Sequence, residues 1–303
     1  MNVREFNTLQ KRLNILGEDE IEALYGRPRF THEERIEYFS LSPTERSMLA
    51  QLHSIKSQLC FVLQLGYFKA RHQFFIFSLY EVAEDAKYVQ AQYFPGHQVA
   101  DLTIAKVTRI KQQGMILELL NYRYCDTQER QTLQAKARQA ARIFGKPVYV
   151  FRELMHYLQQ QRIVAPGYSF LQDTVGQALL YEQNRLIAIT RAQLNAADIE
   201  ALNALLDDST GLYEITQLKR EPKDFSNREI KREIQRGEQI RPLYGRAQQL
   251  LPALGISNES VKYYASLVTY YSIFRLKQLS QQVVYIYLLC FVYTTWKVIG
   301  KNG

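Results

Sequence analysis

Residues 41–68 read LSPTERSMLAQLHSIKSQLCFVLQLGYF, and this stretch decides the class of the fold. It opens with a capping box, because Ser42 is followed by a proline at the first helical position and by Glu45 three residues later. Apolar side chains then recur at the spacing of a helix that buries one face, namely Met48, Leu49, Leu52, Ile55, Leu59, Val62, Leu63 and Phe68. Residues 59–65 are apolar on nearly all sides, which predicts one helix at the centre of a bundle, ended or bent at Gly66.

The segments before this stretch, and the one after it, predict further short helices. Glu18–Tyr25 is followed by a glycine, a second capping box opens at Thr31, and residues 77–93 carry apolar side chains at helical spacing. The Pro95–Gly96 pair then interrupts the pattern. We therefore expect a first helical bundle over residues 1–97.

The next segment predicts a helix with a basic outer face. For Asp101–Gln113, the spacing places Ile104, Val107 and Ile110 inside and leaves lysine and arginine side chains outside. A further helical turn or two is expected after Gly114.

Thr127–Phe144 is the clearest amphipathic helix of the chain. Leucine, alanine and phenylalanine share one face, and basic side chains recur every four residues on another face from Arg138 onward. Ser169 is placed to cap the next helix. A polar loop closes this second predicted bundle, which covers residues 98–210.

Residues 211–303 make up the last predicted part, a charged linker followed by an aromatic helical segment. A serine-capped helix is predicted over residues 227–235, and proline and glycine mark residues 250–255 as a connector. Apolar helices are expected at residues 261–274 and 281–293, although β-branched and aromatic residues leave a strand open for the second. Because alternation of period two is almost absent, we predict an all-α fold of two or three small helical bundles.

The composition is that of a globular protein with an excess of positive charge. Lysine and arginine number 38 against 30 aspartates and glutamates, a net charge of +8, and the pI is about 9.2. This surplus indicates a polyanionic partner such as nucleic acid or an anionic membrane surface. The most apolar run, Val283–Tyr293, is too short for a membrane span of about 20 residues, and the N-terminus has no signal-peptide core. We expect a soluble cytoplasmic protein.

No group of residues predicts catalysis or a metal site. The five histidines are scattered, and Cys60, Cys125 and Cys290 lie far apart among apolar neighbours. The sequence contains no phosphate-binding glycine motif and no nucleophile elbow. We therefore expect no cofactor, no metal, and buried free thiols in a reducing compartment.

Basic side chains between Thr103 and Arg162 are the strongest functional signal. Short helices joined by tight turns, each with an apolar and a basic face, resemble helix-turn-helix construction, in which one helix enters the major groove and flanking cations hold phosphates. The predicted DNA-binding residues are Lys106, Arg109, Lys111, Arg123, Arg130, Lys136, Arg138, Arg142, Lys146 and Arg162. Tyr122 and Tyr124 are placed to touch sugars or bases. For any single lysine, a solvated helical face is the alternative explanation.

Several short segments occur in an order and spacing that is specific as a set. They are Tyr38–Leu41, Phe61–Gly66, Thr103 through Ile116–Leu119, Asn121–Tyr124, Leu158–Gly167 with Ser169–Leu171, and Lys262–Ala265 with Phe274–Leu276. Together they resemble the N-terminal region of replicative transposases of the Tn-three family. The resemblance covers nearly the whole chain.

The resemblance implies that the two helical bundles recognise the terminal inverted repeats of a transposon. It also implies that catalysis belongs to a later RNase H-like domain with a metal-binding acidic triad, so this chain has no catalysis of its own. After Tyr293 the chain departs from the family pattern, and we expect a truncated or frameshifted reading frame, or a fragment. The expected partners are double-stranded DNA and either a second copy of the chain or a full-length transposase.

An α-helical interaction or dimerisation module with incidental basic charge is the alternative. Its distinguishing feature is the aromatic pair Tyr263–Phe274 and Val283–Tyr293, as an exposed partner face. A metal-dependent nuclease acting alone is a third hypothesis.

Overall fold

The computed structural model describes residues 13–207, 214–220 and 226–302, and these residues form helices joined by short connections. In them, the only β-type pairing is an isolated one between Arg123 and Ile163. The helices are α1 (Glu18–Tyr25), α2 (His32–Phe39), α3 (Pro43–Leu49), α4 (Ile55–Arg71), α5 (Ala83–Tyr93), α6 (Lys106–Leu120), α7 (Thr127–Ile143), α8 (Pro147–Gln160), α9 (Tyr168–Gln193), α10 (Ala196–Ala204), α11 (Glu214–Leu218), α12 (Asn227–Leu254), α13 (Asn258–Tyr270), α14 (Ile273–Lys277) and α15 (Gln281–Asn302). The predicted all-α class is confirmed.

The chain divides into two compact units, each built from separated stretches. The first unit comprises Met1–Thr132 and Leu154–Gln172, and the second comprises Leu133–Glu153 and Asp173–Gly303. The three-part division predicted from the sequence stays a prediction. Residues 1–12 of its first part, 208–210 of its second, and 211–213, 221–225 and 303 of its third lie outside the described residues.

Helix α4 is the centre of the first unit. Residues 59–68 are all buried, which confirms the central position predicted for this apolar run. Helices α2, α3, α5 and α6 pack against it. The buried side chains around it include Phe30, Phe39, Leu41, Leu49, Leu52, Val82, Ala86, Val89, Ile116 and Leu117.

The single helix predicted over residues 41–68 is wrong, because the chain forms two helices there. Helix α3 ends at Leu49, and the backbone turns so that the amide of Leu52 bonds to the carbonyl of Leu49 at 3.1 Å. Ser54 then starts α4 by accepting a hydrogen bond from the amide of Ser57 at 3.2 Å. The turn allows Leu49 and Leu52 both to reach the core.

Gly66 does not end or bend α4, as was predicted, but lies inside the helix where α2 crosses it. A Cβ atom at this position would lie 2.3 Å from Cδ1 of Phe39 and 3.2 Å from the carbonyl oxygen of Tyr38. Ordinary contacts between carbon atoms are about 3.5–4.0 Å long. The missing side chain therefore lets the two helices approach closely.

Asp85 is a buried carboxylate in the same unit. It accepts hydrogen bonds from Nε of Arg35 and from the hydroxyl of Tyr67, both at 2.7 Å. Burial, followed by the hydrogen bond and the charge of Asp85, raises the pKa of Tyr67. Tyr67 therefore stays a neutral donor, and the buried charge is paired from two sides.

Predicted caps are confirmed at three of four positions. Thr31, Ser42 and Ser226 each accept a hydrogen bond from the backbone amide three residues on. Ser169 is not a cap, because α9 already begins at Tyr168.

Helix α15 is the centre of the second unit. Helices α12 and α13 pack along it, with α10 and α14 beside them. Residues 283–292 are buried apart from Tyr287, which is half-buried. The strand alternative for this run is therefore wrong. An exposed partner face at residues 283–292 is also wrong, because the run forms the core of its own unit.

Helix α12 is much longer than the predicted helix over residues 227–235. It continues to Leu254 through Pro242 and Pro252, across the predicted connector. An interior proline costs a helix about 3 kcal/mol. Packing outweighs this cost here, since the apolar face of the helix is buried at Ile240, Leu243, Ala247, Leu250, Leu251 and Leu254.

Candidate nucleic-acid interface

Helix α6 carries predicted DNA-binding residues, and its orientation differs from the predicted one. Gln112 is fully buried, and its Nε2 donates to the carbonyl oxygen and to Oγ of Ser57, both at 2.8 Å. Val107 is 79% exposed and Ile110 is 52% exposed. The prediction that these two lie inside is wrong. The helix begins at Lys106 rather than at Asp101. On its buried side, Gln112 lies where the prediction had placed aliphatic side chains, and its amide is hydrogen-bonded there.

The cations of α6 have two different environments. Lys106 and Lys111 are exposed, and neither forms an ion pair with any residue that the structure describes. Arg109 is half-buried and lines a cleft of 460 Å³ together with Gln64 and Tyr80. The two lysines are therefore available to an anionic partner, whereas Arg109 is partly enclosed.

Arg123 and Arg162 meet where two loops of the first unit pair. The amide of Arg123 donates to the carbonyl oxygen of Arg162 at 3.0 Å, and its guanidinium lies 2.6 Å from the carboxylate of Glu129. Glu129 also raises the pKa of Arg123. Arg162 has a φ of 51° and reaches the carbonyl oxygen of Leu120 at 3.4 Å. The charge of Arg123 is thus already balanced within the unit.

Aromatic rings surround this loop pair. Tyr122 is stacked on His72, with 5.0 Å between ring centroids, and burial lowers the pKa of His72. Tyr124 is 46% exposed and donates its hydroxyl to Oε1 of Gln113 at 3.0 Å. The guanidinium of Arg130 lies 5.0 Å from the ring centroid of Phe170. Of the two tyrosines predicted to touch nucleic acid, Tyr124 has more free surface.

The remaining predicted residues lie in the second unit, on α7 and just after it. The apolar face predicted for this helix is confirmed at Leu133, Ala137, Ala140 and Ala141, which are buried. The exposed cations are Lys136, Arg138, Arg142 and Lys146. Arg138 lies 5.0 Å from the ring of Tyr181, and Lys146 lies 5.4 Å from the ring of Tyr149. Such exposed cation–π contacts are worth about 0.5–1 kcal/mol, so they orient the charges without neutralising them.

The end of α7 is tied to the start of α13 within the second unit. Oγ of Ser260 accepts a hydrogen bond from the amide of Gly145 at 2.9 Å and donates to the carbonyl oxygen of Ile143 at 2.9 Å. Ser257 also donates to that carbonyl oxygen. Two serines therefore satisfy backbone groups that a helix end leaves without partners.

In residues 13–207, 214–220 and 226–302, no three histidine, cysteine or acidic side chains converge on a metal site. Cys60 and Cys290 are buried free thiols, as predicted, whereas Cys125 is half-buried. Burial raises the pKa of Cys290, so this thiol is inert. No helix of the described part combines the length and apolar character needed to cross a bilayer.

Comparison with known proteins identifies one family. Residues 15–178, more than half of the chain, match the family model described as a domain of unknown function, DUF4158. The matched range contains the whole set of predicted DNA-binding residues. No curated protein matches the chain.

Proposed function

Starting from the fact that the chain belongs to the DUF4158 family, we propose that it binds double-stranded DNA. The proposed target is the terminal inverted repeat of a transposon. In this proposal the chain acts as the N-terminal region of a Tn-three-like replicative transposase, takes part in DNA transposition and does not cleave DNA itself. The ordered segments quoted above support the transposase assignment.

One observation carries the proposal. Residues 130–152 contain no acidic side chain and six basic ones, and the structure exposes those on α7. Phosphate contacts supply much of the affinity of DNA-binding proteins, and each neutralised phosphate steepens the salt dependence. Arg138 and Arg142 follow one another by four residues on an open helical face and are suited to successive phosphates.

The predicted residues are not expected to contribute equally. Arg142 is exposed and forms no ion pair with a described side chain. Arg123 would have to leave Glu129 before it could bind a phosphate. We therefore expect substitution of Arg142 to weaken binding more than substitution of Arg123.

The test is a fluorescence-anisotropy titration of the full chain at physiological salt. The probes are the terminal inverted repeat next to the chain's own gene and a scrambled duplex of equal length. Wild type is expected to prefer the repeat by about a hundredfold or more, a threshold below the usual ratio of specific to non-specific binding of about 10³–10⁷. The double variant Arg138→Glu with Arg142→Glu is expected to weaken binding to both probes. It should also reduce the slope of log K against the logarithm of the salt concentration by the equivalent of about two phosphate contacts.

The matched control is Lys231→Glu with Arg241→Glu, which changes the net charge equally but on exposed positions of α12. Equal losses of DNA affinity in both double variants would mean that binding depends on net charge and not on the cations of α7. Equal binding of the two probes by wild type would refute end recognition. Cleavage of the repeat by the purified chain with magnesium would contradict the non-catalytic role.

A further inference from the structure

The exposed side of α6 has an unusual make-up. Five exposed residues form what we call the reading face, namely Val107, Ile110, Lys111, Gly114 and Glu118. The last four follow Val107 by three, four, seven and eleven positions, so all five lie on one face of the helix. Two aliphatic side chains and a bare stretch of backbone therefore face solvent near the middle of the helix.

The fold itself does not explain this face. Val107 and Ile110 are 79% and 52% exposed, so their burial does not stabilise the unit. A Cβ atom at Gly114 would meet no described atom within 4 Å. Glycine also disfavours an interior helical position relative to alanine. The space that the missing side chain leaves at Gly114 is open to something that approaches α6 from outside.

We propose that α6 enters the major groove of the DNA and reads bases with this face. The inference rests on the function proposed above and names the helix that carries its specificity. The major groove is about 12 Å wide and admits one α-helix. Val107 and Ile110 contact thymine methyl groups, and Gly114 lets the helix backbone come close to the base edges.

Charge favours DNA over an apolar protein partner. Lys106 and Lys111 lie next to the aliphatic side chains and form no ion pair within the described residues. A face with only two aliphatic residues is small for a protein interface, but it suits methyl contacts between two phosphate-binding cations. Glu118 lies near the C-terminal end of α6, and its negative charge is repelled by the phosphates of DNA. In the proposed arrangement the N-terminal end of α6 therefore lies deeper in the groove. Recognition helices commonly use their N-terminal residues in this way.

The opposite side of α6 holds the helix in place. Gln112 bonds twice to Ser57 of α4, and Ile116 and Leu117 are buried in the core of the first unit. A helix that is anchored before binding loses little conformational freedom when it docks. The reading face is therefore presented in a fixed orientation.

The experiment separates base reading from fold stability. Gly114→Ala is compared with Gly245→Ala, since both glycines lie inside helices with open space around them. Both variants are expected to resist urea at least as well as wild type. Only Gly114→Ala is expected to reduce the preference for the inverted repeat, by about tenfold, the scale of one lost base contact. An unchanged preference in Gly114→Ala would overturn the inference.

A second pair of variants tests the aliphatic contacts. Val107→Ser with Ile110→Ser is expected to lower the preference about tenfold. The control is Ile36→Ser, since Ile36 is 49% exposed and belongs to a different helix, α2. Wild type is expected to bind a uracil-substituted repeat more weakly than the thymine repeat, and the double serine variant is expected to treat both alike. Wild-type binding that is insensitive to the thymine methyl groups would refute the contact.

The outcomes distinguish the two proposals. If wild type prefers the repeat and the α6 variants keep that preference, end recognition stands and the role of α6 falls. If wild type has no preference, both fall. If the α6 variants instead abolish self-association in sedimentation without changing DNA binding, the reading face is a protein interface and the inference is wrong.

Discussion

Replacing Gly66 with alanine tests the closest helix contact in the first unit. The new Cβ atom would lie 2.3 Å from Cδ1 and 2.4 Å from Cε1 of Phe39. Since carbon atoms normally approach to about 3.5–4.0 Å, the ring or the helix has to move by more than about 1 Å. Phe39 is fully buried, and its ring packs against Phe30 at 5.3 Å, Tyr67 at 5.9 Å and Tyr88 at 6.2 Å between centroids. The ring has little room to rotate away.

The expected loss follows from two opposing terms. Overpacking a well-filled core costs about 1–3 kcal/mol. Alanine returns up to about 1 kcal/mol relative to glycine inside a helix. The net expectation for Gly66→Ala is a loss of about 0–2 kcal/mol in the free energy of unfolding. Gly245→Ala has only the favourable term, so the two variants should differ by the overpacking cost alone, about 1–3 kcal/mol.

Urea unfolding followed by circular dichroism measures both variants against wild type. A third variant, Phe39→Leu, removes the ring that the new methyl group meets. The double variant Gly66→Ala with Phe39→Leu should lose less free energy of unfolding than the sum of the two single variants, because the clash disappears with the ring. The reasoning is refuted if Gly66→Ala unfolds at the same urea concentration as Gly245→Ala.

Three further changes test contacts elsewhere in the two units. Asp85→Asn removes the charge that Arg35 and Tyr67 bind, so unfolding should become easier by about 1.5–3 kcal/mol, and an unchanged urea midpoint would contradict this. Ser260→Ala leaves a buried backbone N–H at the end of α7 without its acceptor, with an expected loss of about 1–3 kcal/mol in the same assay. Burial lowers the pKa of His72 below 6.5 in the folded chain. The unfolded chain therefore binds the proton more readily, and the free energy of unfolding decreases as the pH falls below about 6.5. Wild type should therefore lose more stability than His72→Asn between about pH 8 and pH 5, and equal losses would exclude this residue as the cause.

Helix positions with local signals could be predicted from the sequence. The boxes at Thr31 and Ser42 and the cap at Ser226 each depend on side chains within three residues, and all are present in the structure. The central position of residues 59–65 also follows from their composition. In these cases the chemistry that decides the structure lies inside the segment itself.

Helix lengths and faces could not be predicted where distant packing decides them. Pro242 and Pro252 are breakers by local rules, yet the apolar face of α12 packs well enough to retain both. On α6, the aliphatic spacing predicted the wrong face, because Gln112 finds two acceptors on α4 that the local sequence does not reveal. Gly66 owes its role to Phe39, a residue 27 positions earlier in the chain.

The sequence could predict which cations belong to the candidate site, but it could not predict which of them are exposed and which are paired or enclosed. Charge counting selected the ten predicted cations, but it does not show that Arg123 is paired with Glu129 or that Arg109 lines a cleft. It also passes over Val107, Ile110 and Gly114. A glycine inside a predicted helix that also carries lysines was the signal in the sequence that pointed toward the proposed reading face.

The hydrogen bond between Gly145 and Ser260 has a consequence for the timing of folding during translation. The two residues are 115 positions apart, so the end of the basic helix leaves the ribosome long before its cap is made. At roughly 5–20 residues per second, the delay is about 6 to 23 seconds. During that interval α7 lacks the two serines that bond to the backbone groups at its end. A chain that stops before residue 257 would keep the helix in this state permanently.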